Sequence, residues 1–411
     1  MPESTDPSRT AGPSPAEVVP SRPYIGGQAV LEGVMMRAPT SLAIVVRRRD
    51  GSLHVRERAM ADGRSGFAKL PFIRGMASLG ESLRLGSEAL RFSAEQMERD
   101  FEAEEAEAKA KAAKSGVGTS MLAVLRTIGY TLFLLTTADG DTASPASSKE
   151  PSEPASRDES VAVPKEEKKG SRAPMTFMVV LMVGFMIALP QAAAAGINRL
   201  LHLDLDVQSP GFQALTGAFK LTIVIGYLLL VRNVFADIRR VFQYHGAEHK
   251  TITTYEDNLP LTVENARAKT TLHPRCGTTF LVMVAMVSIL VFTGVGGFLP
   301  KIQTGNAALD NVVFFFEKLP FLPLIAAVTF EIQRVFARWC TTGPLRVLLW
   351  PGFLCQKITT IEPDDEQLEV ALASLRVTLF RERGEDTKNG GDVRYATFDA
   401  LMKSPHLRRA A

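Results

Sequence analysis

The sequence predicts a mainly α-helical, polytopic membrane protein with about four spanning helices and a small strand-containing amino-terminal cytoplasmic unit. Three observations support this class: long uncharged apolar segments, a polar region with short apolar runs before them, and Lys and Arg concentrated in only some connections. The net charge of +3 over 411 residues averages these unlike parts and does not indicate a nucleic-acid binder. The three cysteines are irregularly spaced, which favours a reducing compartment over a disulfide framework.

The amino-terminal part begins with a polar segment and continues into a folded unit. Residues 1–23 are rich in Pro and Ser and contain no apolar h-region, so a disordered tail without a cleavable signal peptide is expected. Residues 24–118 are predicted as a cytoplasmic strand and helix unit, in which β-branched runs flank the turn dipeptide Asp50-Gly51. The glycines between Gly26 and Gly33 permit close backbone approach, but their order in the sequence does not match that of a phosphate-binding loop. We therefore interpret this run as a glycine-flanked strand.

Two segments separate this unit from the predicted membrane bundle. Residues 119–138 are apolar but short for a span and carry Arg126, so we interpret them as an interfacial or hairpin helix. A true span there would place the amino-terminal unit on the other side of the membrane. Residues 139–173 have low-complexity composition and are predicted to be a disordered linker.

Residues 174–350 are predicted to form the membrane helix bundle. The four expected spans are Met175–Ile197, Phe212–Phe235, Thr278–Leu299 and Val312–Phe330. The first three are almost free of charge and long enough to cross roughly 30 Å of hydrocarbon at 1.5 Å per residue. The fourth contains Glu317, Lys318 and two prolines, so a broken or re-entrant path is its alternative.

The distribution of basic residues predicts the orientation of the bundle. Lys and Arg are dense in the predicted loop 232–277 and after Glu331, whereas the connections after the first and third spans carry at most one each. The protein is therefore expected in the cytoplasmic (inner) membrane, with this loop and both termini on the cytoplasmic side. Residues 351–383 are predicted as a cytoplasmic helical segment, whose acids after Pro363 suit a helix start better than a calcium site. Residues 384–411 are expected to be a mobile tail.

The predicted loop 232–277 contains the residues that could carry chemistry. His245, Glu248 and His249 form the pattern H-x-x-E-H. On a helix, histidines four residues apart share one face and can bind a single ion. This is the inverted zincin pattern, in which both histidines bind zinc and the glutamate acts as general base.

Zinc requires at least one further protein ligand, and His273 and Cys276 are the preferred candidates, with Glu264 and Glu331 as weaker ones. Two other interpretations remain open. The histidines could serve only as hydrogen-bonding side chains at the membrane surface, with the cysteine a small buried residue. Alternatively, Cys276 could be a nucleophile activated by a neighbouring histidine.

Several sequence runs in the same order resemble a known family. They are GGQAVLEGVMMR, PFIRGM, RVFQYHGAEHKTI, LTVENARAKTTLHPRCGTTF, and PG followed by EPDDEQLEVA. Together they resemble the YqhQ-like proteins, a bacterial membrane family of unknown function labelled as predicted metal-dependent enzymes. The resemblance implies a polytopic helical membrane protein, and it implies a metal site at the matching residues His245, Glu248, His249, His273 and Cys276. It implies no substrate.

Two classes of function follow as hypotheses. The first is a metal-dependent enzyme of the zinc type, a hydrolase with its site at the cytoplasmic membrane face and Glu248 as base. The second is a non-enzymatic scaffold or regulator in the lipid bilayer that docks a protein partner. A transporter is disfavoured because the spans contain almost no ionisable residues other than Lys220 to line a path.

Overall fold

The computed structural model describes only part of the chain. The described ranges are 22–60, 73–112, 189–295, 298–300, 304–318, 320–340, 343–384, 391–404 and residue 407. The predicted interfacial helix 119–138 and linker 139–173 lie outside them, as do nearly all of the predicted amino-terminal tail and most of the first predicted span.

The described residues are mainly helical, with one small sheet, as predicted. The strands are β1 (Gly26–Val30), β2 (Gly33–Arg37), β3 (Ser41–Arg47), β4 (Leu53–Ala59) and β5 (Asp392–Tyr395). The helices are α1 (Ile73–Ala112), α2 (Pro210–Val234), α3 (Ala236–Glu256), α4 (Val263–Arg267), α5 (Gly277–Val295), α6 (Ala307–Lys318), α7 (Phe321–Trp339), α8 (Trp350–Thr359), α9 (Asp365–Glu382) and α10 (Phe398–Met402). A 3₁₀ turn, Pro344–Leu349, precedes α8, and residues 189–200 are also helical.

The sheet is antiparallel with its strands in the order β1-β2-β3-β4-β5. Gly51 has a φ of 82° in the β3–β4 connection, which is the left-handed conformation that the predicted Asp50-Gly51 turn requires. Alternate residues of β3 are buried on opposite faces: Ala43 and Val45 pack toward α9, while Ile44 packs toward α1. The sheet therefore has a helix on both faces, which explains why β3 is apolar along its length rather than alternating.

Two helices, α2 and α5, are long and apolar enough to cross a membrane. They pack so closely that a Cβ at Gly217 of α2 would lie 2.6 Å from Ile289 of α5. Residues 312–318 and 321–336, in α6 and α7, pass the same test only as a pair bent by 46°. The predicted fourth span is therefore bent, as a broken span or a re-entrant loop would be. The described residues contain two helices that could cross a membrane, or three if the bent pair forms one span, so they do not confirm all four predicted spans.

The prediction of a mobile tail over 384–411 needs correction, because β5 and α10 lie within it. β5 pairs with β4 and covers an edge that would otherwise expose unpaired backbone groups. Leu401 and Leu407 are buried with residues of α9 and β4 in the main core. The tail is polar in composition, but these few apolar side chains supply enough contact to dock it.

Candidate metal centre

The helix α3 brings the predicted site residues between the membrane helices and the sheet. It follows α2 after a single extended residue, Phe235, and it contacts β1, α4 and α9. From Gly246 to Ile252 every residue of α3 is buried. A long polar segment is buried here because helices and sheet close over it from several sides.

His245, His249 and Cys276 come together. The ring centroids of the two histidines are 4.4 Å apart, and Nε2 of His245 lies 3.1 Å from the Cys276 sulfur. One potential ligand atom from each residue lies within 4.8 Å of the other two. Tetrahedral zinc ligands at about 2.0–2.3 Å from the ion lie roughly 3.3–3.6 Å from one another. Small side-chain shifts would therefore bring these three atoms to the distances that a shared zinc ion requires.

Backbone carbonyls determine which ring nitrogen of His245 and of His249 faces the space between the three residues. Nδ1 of His245 lies 2.9 Å from the Thr359 carbonyl oxygen, and Nδ1 of His249 lies 2.5 Å from that of Thr271. A carbonyl can only accept, so both Nδ1 atoms carry the hydrogen and donate it. Burial lowers the pKa of His249, so its Nε2 carries a lone pair, and among the described residues this atom is buried with no hydrogen-bond partner. Nε2 of His245 instead shares a hydrogen with the Cys276 sulfur, and a bound ion would take the place of that hydrogen. Such carbonyl partners are the usual outer support of metal-binding histidines.

Cys276 lies immediately before α5 and is 6% exposed. Burial opposes ionisation of the thiol, but the neighbouring imidazoles of His245 and His249 outweigh it and hold the pKa of Cys276 well below its usual value. The reverse effect operates on His245, where burial lowers the pKa but the Cys276 thiolate raises it to about 9. The thiolate is the form that binds metals and the form that attacks electrophiles, so the ionised sulfur suits both predicted roles of Cys276.

His273, the other preferred ligand, lies beside this group but is not part of it. Its ring centroid is 5.6 Å from that of His249, and its Nε2 is 3.3 Å from a carboxylate oxygen of Glu256. Glu256 also pairs with Arg275. Burial lowers the pKa of His273 even though the Cys276 thiolate opposes that shift, so the ring is neutral near pH 7.

Glu248, the predicted base, points toward the sheet. A Cβ at Gly27 of β1 would lie 2.7 Å from its Oε1, and the backbone N–H of Ala29 donates to the carboxylate. Its Oε2 is buried without a hydrogen-bond partner among the described residues. Burial raises the pKa of Glu248, His245 opposes the rise and the Cys276 thiolate adds to it, so that the pKa is about 8. The carboxyl is therefore largely protonated near pH 7 when no ion is bound.

The weaker candidate ligands, Glu264 and Glu331, do not join the three-residue group. A residue that the sequence analysis missed is Gln356 of α8, which is fully buried. Its Oε1 accepts from the backbone N–H of His273 at 2.8 Å, while its Nε2 donates to the His273 carbonyl at 2.7 Å and to Thr279 Oγ1 at 2.6 Å. Gln356 thus holds the segment that carries Cys276 against the start of α5.

The fold and the cluster together define a class: helical membrane proteins in which a sheet-containing unit covers a buried His/Cys group beside the membrane helices. The chain belongs to the family described as "Protein of unknown function (DUF1385)", which matches residues 70–380. It is 30% identical over 359 residues to "Uncharacterized protein YqhQ" of Bacillus subtilis (strain 168), covering 87% of this chain and 92% of that protein. No solved structure matches the chain. These comparisons bear out the YqhQ-like resemblance and carry no information on metal or activity.

Proposed function

We propose that the protein is a membrane metalloprotein that holds one zinc-type divalent ion at His245, His249 and Cys276. The observation that carries this proposal is the convergence of their three ligand atoms within 4.8 Å, with both rings oriented by backbone carbonyls. Two imidazoles and a thiolate are donors that favour zinc, whereas magnesium and calcium favour oxygen ligands. The unpartnered Nε2 of His249 fits the same ion, because a buried nitrogen without a hydrogen is otherwise costly.

Three protein ligands are the number found in catalytic zinc sites, where a fourth position remains for water or substrate. An ion held here would supply Lewis-acid activation of water and of a carbonyl or phosphoryl group. Glu248 lies against β1, near enough to His245 and Cys276 for both to shift its pKa, and its carboxylate would accept a proton there as general base. The positive charge of an ion would also favour the ionised form of this carboxyl. We therefore propose a metal-dependent hydrolase, with the site beside the membrane surface.

Measurement of bound metal tests the proposal. Detergent-purified wild-type protein should carry about one equivalent of zinc, and His245→Ala, His249→Ala and Cys276→Ser should each lose most of it. His202→Asn is a matched control, because His202 is exposed and asparagine tolerates its positive φ of 49°. Equal and negligible metal in wild type and variants would reject a metal site here.

A second function, a non-enzymatic scaffold that docks a protein partner, is favoured by the position of Glu248 against β1. This contact joins the sheet unit to α3, so an ion nearby could fasten the two parts together without catalysis. The Glu248→Gln variant separates the two functions. A scaffold should retain both its metal and a stoichiometric pulled-down partner in this variant, whereas a hydrolase should retain metal and lose hydrolytic turnover.

We also propose that the protein lies in the cytoplasmic membrane, with the α3 side and both termini facing the cytoplasm. The support is the excess of Lys and Arg in the chain around α3 and after Glu331, compared with single basic residues in the connections at the other ends of α2 and α5.

A further inference from the structure

Large apolar side chains are exposed from the last residue of α7, through the 3₁₀ turn Pro344–Leu349, into α8. Six of them, each 44–67% exposed, form what we call the apolar foot: Trp339, Leu345, Val347, Leu348, Trp350 and Leu354. The foot contains both tryptophans of the chain. Six large exposed apolar side chains so close together in the chain indicate an interaction site rather than ordinary surface variation.

The foot lies at the end of the membrane helices where the His/Cys group is found. Gln333 in α7 donates to the carbonyl of Cys276, so the last turns of α7 are level with the start of α5. Arg232 at the end of α2 donates to the Lys357 carbonyl at 2.6 Å, which brings α8 to the same level. α8 also packs on the first turn of α5, where a Cβ at Gly352 would overlap Thr279. The foot therefore continues the lipid-facing surface of α2 and α5.

The charges around the foot match an anionic lipid surface. Residues 338–357 include Arg338, Arg346 and Lys357 and contain no Asp or Glu. The guanidinium of Arg338 lies 5.6 Å from the Trp339 ring centroid, and that of Arg346 lies 5.7 Å from the Phe353 ring. Tryptophan and arginine side by side are characteristic of the boundary between headgroups and acyl chains.

We propose that the apolar foot is seated in the headgroup and upper acyl region of the leaflet on the α3 side, with anionic phospholipid as its partner. α8 then has two functional faces. Its lipid side carries Trp350 and Leu354, while Gln356 and the carbonyl of Thr359 hold His273 and His245. The leaflet would thereby position α8 against the His/Cys group, and this holds whether or not an ion binds there.

Intrinsic fluorescence tests the proposal without labels, because both tryptophans lie in the foot. The full chain is reconstituted singly in nanodiscs of phosphatidylcholine and phosphatidylglycerol, with bromine placed either near the carbonyl end or near the terminal end of the acyl chains. We expect bromine near the carbonyl end to quench about half of the emission or more, with a smaller loss from the terminal position and little from aqueous iodide. Trp339→Phe and Trp350→Phe assign the signal to each residue.

Two results would overturn the proposal. Strong quenching by iodide with none by brominated lipid would place the foot in water. Protection from both quenchers would place it under protein, such as a second copy of the chain or another part of it. Metal content, measured on the same samples, reports separately on the proposed ion site.

Discussion

At the residue scale, the His/Cys group depends on atoms that the sequence does not mark. The spacing of His245 and His249 could be predicted because one helical turn fixes their separation, and Cys276 could be named from its chemistry. The carbonyls of Thr271 and Thr359 could not, since any residue type supplies a carbonyl. The contact between Gly27 and Glu248 could be predicted only in part. The glycine-rich run predicts that another group packs closely on this backbone, but it does not indicate that the group is the carboxylate of Glu248 in α3.

Substitution of Gly27 tests this contact. In Gly27→Ala the new methyl would lie 2.7 Å from Glu248 Oε1, and the buried carboxylate has little room to move, so we expect a loss of about 1–3 kcal/mol in stability. Gly26→Ala in the same strand is the control, because its nearest neighbour is 3.5 Å away, and its effect should stay within about 0.5 kcal/mol. Thermal unfolding of the two variants gives the comparison. Equal midpoints would show that Glu248 does not press on β1.

The raised pKa of Glu248 predicts a pH dependence in protein freed of metal by a chelator. The unfolded carboxyl ionises near pH 4.5, whereas the folded one holds its proton to about pH 8, so the folded state loses stability as pH rises between these values. Glu248→Gln cannot ionise and should escape this loss. The stability of Glu248→Gln relative to wild type should therefore rise between pH 5 and pH 8, by on the order of a few kcal/mol. Thermal unfolding of both proteins at each pH measures this difference. A constant difference would show that the carboxyl has an ordinary pKa.

At the element scale, apolar length was the most informative signal in the sequence. It predicted α2 and α5 to within a few residues, because an uncharged segment of about 20 residues has few alternatives to a spanning helix. The break between α6 and α7 was foreseen as an alternative from the two prolines and charges near Glu317. The role of α8 was not foreseen, because its decisive residue, Gln356, is uncharged and belongs to no recognisable motif.

Gln356 provides a prediction about α8. Gln356→Ala removes three hydrogen bonds and leaves the buried N–H of His273 unpaired, so we expect a loss of roughly 2–4 kcal/mol in stability. Zinc affinity, measured by competition with a chromophoric chelator, should fall by about 10–100-fold because the segment carrying Cys276 is released. Gln333→Ala is the matched control, since it removes one hydrogen bond, to the Cys276 carbonyl. Equal effects of the two substitutions would argue against a special role for α8.

At the scale of the whole molecule, segments far apart in sequence form one core. β5 completes a sheet begun by β1, and α9 packs on β2 and β3 more than 300 residues from them in the chain. Local patterns predicted several of these segments separately but could not show that they meet, because long-range contacts leave no local periodicity. The same limit led to the expectation of a mobile tail at 384–411.

The orientation of the bundle yields a prediction about accessibility. Cysteines introduced at Asp206, before α2, and at Glu264, on the α3 side, should lie on opposite membrane faces, and both positions are exposed. A membrane-impermeant maleimide should label Asp206→Cys in intact cells and Glu264→Cys only after the membrane is opened. The three native cysteines are buried and should give little background. The reverse pattern would invert the proposed orientation.

The most direct test of the central claim is the absorption spectrum of the protein after replacement of its metal with Co²⁺. Two imidazoles and one thiolate in a tetrahedral arrangement predict a near-ultraviolet thiolate-to-cobalt band together with intense visible bands. Cys276→Ser should abolish the ultraviolet band while the visible bands weaken, and His249→Ala should reduce both. A wild-type spectrum no different from that of free Co²⁺ would contradict the existence of a metal centre at these three residues.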